Sequence, residues 1–135
     1  MLSMALGVRQ LIVGIGVDIV EIEKLRLAMV RRGDRLRNRA FTPGEVEYCD
    51  VRANKFQHYS ARFAAKEAAF KAIGTGWREG VGWQDVEVVN QLNGKPALVL
   101  RGKTLEIANR LGAKSWWVSL SHTDQYAVAQ VILEG

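Results

Sequence analysis

A chain of 135 residues, 48% hydrophobic and with a formal net charge of +5, is long enough for one domain with a real core and too apolar to be disordered. Its single cysteine, Cys49, excludes an intrachain disulfide framework or zinc cluster, fits a reducing compartment such as the cytoplasm, and reads as a plain helix position rather than a catalytic thiol. The longest apolar run, residues 11–20, is too short to span a bilayer and contains Asp18, so no membrane segment is expected, while the positive balance favours an anionic partner.

Residues 1–10 lack the long apolar centre of a signal peptide and read as an N-terminal extension; the domain proper is expected over 11–135, without repeats or an internal boundary. Leu11 to Val20 reads as a buried strand, apolar throughout and rich in β-branched residues. Alternation puts Leu11, Val13, Ile15, Val17 and Ile19 on one face. Ile12, Gly14, Gly16, Asp18 and Val20 share the other, where the bare glycines leave room beside the carboxylate. Glu21 to Arg32 has the spacing of an amphipathic helix, which Gly33 can end. Thr42, Pro43 and Glu45 form a capping-box start for a short helix ending near Cys49 or Val51. Asn54 to Ile73 is the clearest long helix. Asn54 and Gln57 suit a capping box, Phe56, Tyr59, Phe63 and Phe70 mark its inward face, and Gly74 supplies the stop. Asp85 to Val89 and Ala97 to Leu100 are strands around the Asn93-Gly94 turn. Lys103 to Leu111 reads as a helix ended by Gly112, and Ser115 to Ser121 with Gln125 to Leu133 as a second hairpin. The class is α+β with a largely antiparallel sheet.

Two carboxylates stand out. Glu67 lies on the same helix face as Phe63 and Phe70, where an ionised group is costly unless paired or metal-bound. It can instead form a structural ion pair with Lys71 or Arg62. Asp18 is the one charge in an apolar strand, near the strand's carboxyl end; it can instead cap the helix that follows. Two such carboxylates suit an oxygen-liganded cation such as Mg²⁺, although spacing alone does not bring them together. Arg62, Lys66 and Lys71 surround Glu67 with positive charge, suited to an anion or simply to solvent. Gly74-Thr75-Gly76 matches no nucleotide fingerprint and reads as a cap and turn. His122, in the last hairpin turn, can donate to a phosphate, but His58 has no zinc-type spacing with it. Arg31, Arg32, Arg35, Arg37 and Arg39 form a basic cluster without a recognition helix or stacking platform, so an acidic protein is at least as good a partner as nucleic acid.

Taken together, five segments in order resemble the holo-acyl-carrier-protein synthase family of phosphopantetheinyl transferases. They are Val13 to Ile22, Phe41 to Glu45, Ala61 to Gly76, Asn93 to Pro96, and Val118 to Thr123. The resemblance covers nearly the whole chain from about residue 11 and implies the single-unit fold of that family, a mostly antiparallel sheet packed with a long helix. It implies transfer of 4′-phosphopantetheine from coenzyme A to a serine of an apo acyl carrier protein, in fatty acid biosynthesis, releasing adenosine 3′,5′-bisphosphate. Asp18 and Glu67 would hold Mg²⁺ against the coenzyme A diphosphate, with Lys71 at the reacting phosphate. Arg62, Lys66, Gly74, Gly76 and His122 would line the coenzyme A site. Lys24, Ala28 and Arg31 on the first helix would face the carrier protein's acidic helix. Family members often carry Arg at the Lys24 position, and Lys keeps the charge without the fork geometry. A cytoplasmic homotrimer with active sites at subunit boundaries is also implied, with neither nucleic acid nor membrane as a partner. A basic nucleic-acid-binding module and a non-catalytic trimeric scaffold are the competing readings; the first leaves Asp18 and Glu67 without a role, and the second leaves the acidic pair and Lys71 without one.

Overall fold

The structure is a computed structural model that describes residues 11–74 and 80–135. In chain order it contains β1 (Ile12–Glu21), α1 (Ile22–Arg32), α2 (Asp34–Ala40), α3 (Pro43–Asp50) and α4 (Lys55–Ile73). A 3-10 turn (Trp83–Asp85) then leads into β2 (Val86–Asn90), β3 (Pro96–Leu100), α5 (Gly102–Arg110), β4 (Ser115–His122) and β5 (Tyr126–Glu134). The expected α+β class holds, and every strand pairing is antiparallel: a three-stranded sheet in the order β1-β5-β4 and the hairpin β2-β3. Trp116 Nε1 donates to the Leu98 carbonyl at 3.0 Å and ties the hairpin to the larger sheet.

Helix α4 is the axis of the fold. Its alanines, Ala64, Ala65, Ala68, Ala69 and Ala72, let it lie close on the sheet, where Val118, Ala129, Val131 and Leu133 complete the core. Burying a side chain such as Leu133 stabilises the fold by about 2 kcal/mol. The glycines of β1 serve the same contact. A Cβ on Gly16 would sit 2.0 Å from the Ala68 carbonyl oxygen, and one on Gly14 would sit 2.2 Å from that of Ala72. The space they leave therefore holds the helix backbone rather than a ligand beside the carboxylate. A second cluster, including Leu25, Met29, Leu36, Phe41 and Tyr59, packs α1, α2 and α3 on the first turns of α4.

Two expectations are corrected, and one segment that was assigned no element forms a helix. β1 is an edge strand, and its outer face is open: Ile15, Val17 and Ile19 are all more than half exposed. Residues 34–40, which lacked an apolar period, form α2, because Leu36 and Ala40 need only one buried side. Asn54 does not cap α4 through its side chain, which instead donates to the Gln57 side chain at 2.6 Å.

The capping box at α3 is present and does more than start a helix. Glu45 N donates to Thr42 Oγ1 at 3.2 Å, and Thr42 N donates to Glu45 Oε1 at 3.0 Å. The same buried Glu45 carboxylate accepts from Lys66 Nζ at 2.6 Å and from Val88 N at 2.9 Å. One side chain thus joins α3, α4 and β2.

Candidate active site

Strand β1 delivers Asp18 and helix α4 delivers Glu67 and Lys71 to one cleft of about 770 Å³, lined also by Lys24, Ala28 and Tyr126. The placement follows from the packing just described. Gly16 fixes β1 against the helix turn at Ala68, and Asp18, two residues further on the same strand face, falls beside the helix residues on either side of that turn. Lys71 Nζ donates to Asp18 Oδ1 at 2.8 Å and to the Val17 carbonyl at 3.1 Å. Glu67 is half-buried. Burial and the Asp18 charge push its carboxyl above the usual range, while the Trp83 indole N–H and the Lys71 charge pull it back.

The ordinary roles that the sequence left open for these carboxylates are not the ones they play. The N-cap of α1 is Glu21, so Asp18 does not cap that helix. Neither Lys71 nor Arg62 forms an ion pair with Glu67: Lys71 pairs with Asp18, and Arg62 donates to Asn90 Oδ1 at 2.8 Å. Two carboxylates with mutual repulsion, one of them half-buried, form an all-oxygen donor set that fits Mg²⁺. Among the described residues no group of three or more His, Cys, Asp and Glu side chains converges as a metal cage. A cation held here would complete its shell from phosphate oxygens and water, which is the usual habit of Mg²⁺ at phosphate chemistry.

The other candidates are distributed differently from what the sequence suggested. Lys66 is corrected outright. It is fully buried, and its three ammonium protons go to Glu45, to the Trp83 carbonyl at 3.0 Å and to the Val86 carbonyl, so it lines no site. Helical rotation separates it from Lys71, which is exposed, and no continuous cationic face runs along α4. Arg62 and His122 meet in a second pocket of about 210 Å³ with Tyr48, His58 and Asn90. Arg62 is almost fully buried, its guanidinium lies over the Tyr48 ring at 4.1 Å, and its Nε has no hydrogen-bond partner among the described residues. Burial, and after it the charges of Arg62, Arg52 and His122, hold the His58 imidazole below its ordinary range. Gly74 caps α4 in the left-handed region, with φ 82°, and Gly76 lies outside the described residues. Arg31 is exposed in the last turn of α1, three residues beyond Ala28 and not among the residues lining the cleft.

Several site residues went unnoticed in the sequence. Trp83 sits in a stretch with neither helical nor strand period. Tyr126 reaches the cleft because β5 pairs it with Glu21, a register that only the folded sheet reveals. Tyr48 and Asn90 join Arg62 through tertiary packing alone.

A carboxylate pair with a lysine at one cleft, and an arginine–histidine pocket nearby, is a site for an anionic, phosphate-bearing substrate. The family model described as the 4′-phosphopantetheinyl transferase superfamily matches residues 14–131. The chain belongs to that superfamily. Within it, the chain is 51% identical over 124 residues to the holo-[acyl-carrier-protein] synthase of Solibacter usitatus, covering 92% of this chain and 99% of the relative. The crystal structure of the Neisseria meningitidis holo-[acyl-carrier-protein] synthase superimposes with a TM-score of 0.82 at 30% identity, over 92% of this chain and 99% of that one. The Bacillus anthracis synthase, solved in complex with CoA (3′,5′-ADP), does so with a TM-score of 0.76 at 34% identity, over 93% and 99%.

Proposed function

We propose that this chain transfers 4′-phosphopantetheine from coenzyme A to a serine hydroxyl of an apo acyl carrier protein, with Mg²⁺ held by Asp18 and Glu67. The observation that carries the reading is the meeting of Asp18 and Glu67, from a strand and a helix far apart in sequence, in one cleft with Lys71 bonded to Asp18. The serine oxygen forms a bond to the β-phosphorus of the coenzyme A diphosphate. The bond from that phosphorus to the bridging oxygen breaks, adenosine 3′,5′-bisphosphate leaves, and the serine hydroxyl proton passes to the Glu67 carboxylate or to water in the cleft. Such a transfer needs alignment and charge neutralisation more than a protein nucleophile. The cation supplies part of that neutralisation when bound. Lys71, exposed and on a flexible stem, reaches the phosphate oxygens from its place on Asp18.

The partner surface is α1. Lys24 and Ala28 line the cleft, and Arg31 continues the same side of the helix, offering positive charge to an acidic helix of the carrier. The adenosine bisphosphate end is assigned to the Arg62–His122 pocket, with Gly74, the cap of α4, and Gly76, two residues further in sequence, assigned to the coenzyme A site. We assign a homotrimer from the outer face of the larger sheet. There the register sets Ile15, Ile132 and Trp117 in one row and Ile19, Val128 and Ser121 in another, and single exposed chains rarely carry such a patch. A closed ring of three buries that face and brings one protomer's cleft to its neighbour's pocket. No helix among the described residues is long and apolar enough to cross a membrane. Cytoplasmic fatty acid biosynthesis is the proposed setting.

Intact-mass spectrometry of an apo acyl carrier protein incubated with this chain, coenzyme A and Mg²⁺ tests the reaction. The reading requires a gain of one phosphopantetheine, and an unmodified carrier would overturn it.

A further inference from the structure

Tyr48, in the last turn of α3, carries two cations on one ring. The Arg62 guanidinium lies over it at 4.1 Å from the centroid, and the Arg52 guanidinium lies over it at 3.4 Å. Arg52 folds back from just beyond the helix. Its backbone N–H donates to the Cys49 carbonyl at 3.1 Å, and its Nη1 donates to the Tyr48 carbonyl. Arg62 comes from α4 and is only 3% exposed. Its Nη2 donates to Asn90 Oδ1 at 2.8 Å. Asn90 Nδ2 in turn donates to the Gly94 carbonyl at 3.1 Å, which keeps that oxygen turned to the arginine. The Tyr48 ring also meets the His58 ring edge-on, with centroids 5.7 Å apart and planes at 78°. Among the described residues neither guanidinium is paired with a carboxylate: on the same helix as Tyr48, Glu45 pairs with Lys66 and Asp50 with Arg37.

We infer that Tyr48 is a positioning residue for the phosphate-bearing end of coenzyme A, holding the Arg62 and Arg52 guanidiniums together beside the pocket through its ring. The argument is electrostatic. Two like charges on one ring repel each other, and burying an unpaired charge is costly. A carboxylate would relieve both costs, but it would also neutralise the positive charge that an anionic ligand needs. The π-face of a phenol attracts a cation while leaving its charge in place. Tyr48 therefore keeps both guanidiniums where they are and still able to meet an anion. Arg62 lines the pocket with His58, one helical turn earlier on α4, and with His122 from β4. The role belongs to the ring of Tyr48 and not to its hydroxyl, since the contacts to both arginines and to His58 are all made by the ring or the backbone.

This inference rests on the assignment of the adenosine bisphosphate end to this pocket, and the test separates the two. Adenosine 3′,5′-bisphosphate is titrated into the purified wild-type chain and into Tyr48→Phe, Tyr48→Leu and Arg62→Gln, with binding read by calorimetry. Tyr48→Phe keeps the ring and should bind within about twofold of wild type. Tyr48→Leu should weaken binding by about tenfold and raise KM for coenzyme A similarly, with kcat unchanged. Adding it to Arg62→Gln should cost far less than it does alone, because the two act together. Phenylalanines carrying one, two or three ring fluorines at position 48 keep the shape and drain the negative face, so binding should fall stepwise along that series. A flat series, or wild-type binding in Tyr48→Leu, with binding lost in Arg62→Gln, would overturn the role of Tyr48 and leave the pocket assignment standing. Wild-type binding in Arg62→Gln would overturn both. If Tyr48→Leu fails to fold, the fluorinated series decides.

Discussion

Lys71 Nζ lies 2.8 Å from Asp18 Oδ1, so the long helix and the first strand are joined across the mouth of the cleft by a side chain that is itself 58% exposed. At that exposure the pair adds little to stability, roughly 0–1 kcal/mol. Its value is positional: it keeps a cation at the carboxylate without burying it. Lys71→Ala should leave the melting temperature within a few degrees of wild type and lower kcat by about a hundredfold, as losing one charge stabiliser at a reacting centre does. Thermal melting and a mass-based transfer assay check this together; an unchanged rate would remove Lys71 from the chemistry.

Gly16→Ala tests why Asp18 is where it is. The new methyl would meet the Ala68 carbonyl oxygen at 2.0 Å and the Ala72 nitrogen at 2.8 Å, both backbone atoms within a helix that cannot yield. Destabilisation of about 3 kcal/mol is expected by urea denaturation. Gly82→Ala is the control. Its φ is −130° and no atom lies within 4 Å of the added carbon, so its effect should stay within about 0.5 kcal/mol.

The buried Glu45–Lys66 pair predicts non-additive losses. Lys66→Met leaves an uncompensated carboxylate inside the protein and should cost about 3–5 kcal/mol. Glu45→Gln combined with Lys66→Met should recover much of that, since no charge is then stranded while an amide oxygen can still accept from Thr42 N or Val88 N. A double-mutant cycle by denaturant unfolding measures the coupling.

The exposed row on β1 predicts assembly. Val17 is 56% exposed at the middle of the outer face, between the apolar rows of Ile15 and Ile19. Val17→Lys should give a folded monomer by light scattering and circular dichroism and lose most transfer activity, because the site is proposed to be shared between neighbours. A trimer that persists with full activity would contradict this use of the face.

Much of the fold was legible because its signals were local. The Thr42–Glu45 capping box, the alanine-rich α4 with its Gly74 stop, and the Asn93-Gly94 turn each follow from short-range chemistry, and each is present. The suspicion attached to Asp18 and Glu67 was also legible, since a charge in an apolar pattern needs a reason. What pattern could not supply was direction around a helix. Arg62, Lys66 and Lys71 looked alike in sequence, yet one is buried against Tyr48, one is enclosed with Glu45 and one stands in the open cleft. Glu45 belongs to another helix, so nothing near Lys66 announced its partner. The outer face of β1 misled for a related reason: an apolar strand reads as buried whether its cover comes from the same chain or from another.

The most direct test of the central claim is the metal dependence of transfer in wild type, Asp18→Asn and Glu67→Gln, followed by the mass of the carrier protein. The account predicts that chelation abolishes the gain of phosphopantetheine by the wild-type chain and that Mg²⁺ restores it. It predicts that both variants, folded by circular dichroism, lose most of the activity at any Mg²⁺ concentration. Transfer that survives chelation, or proceeds at the wild-type rate without either carboxylate, would contradict it.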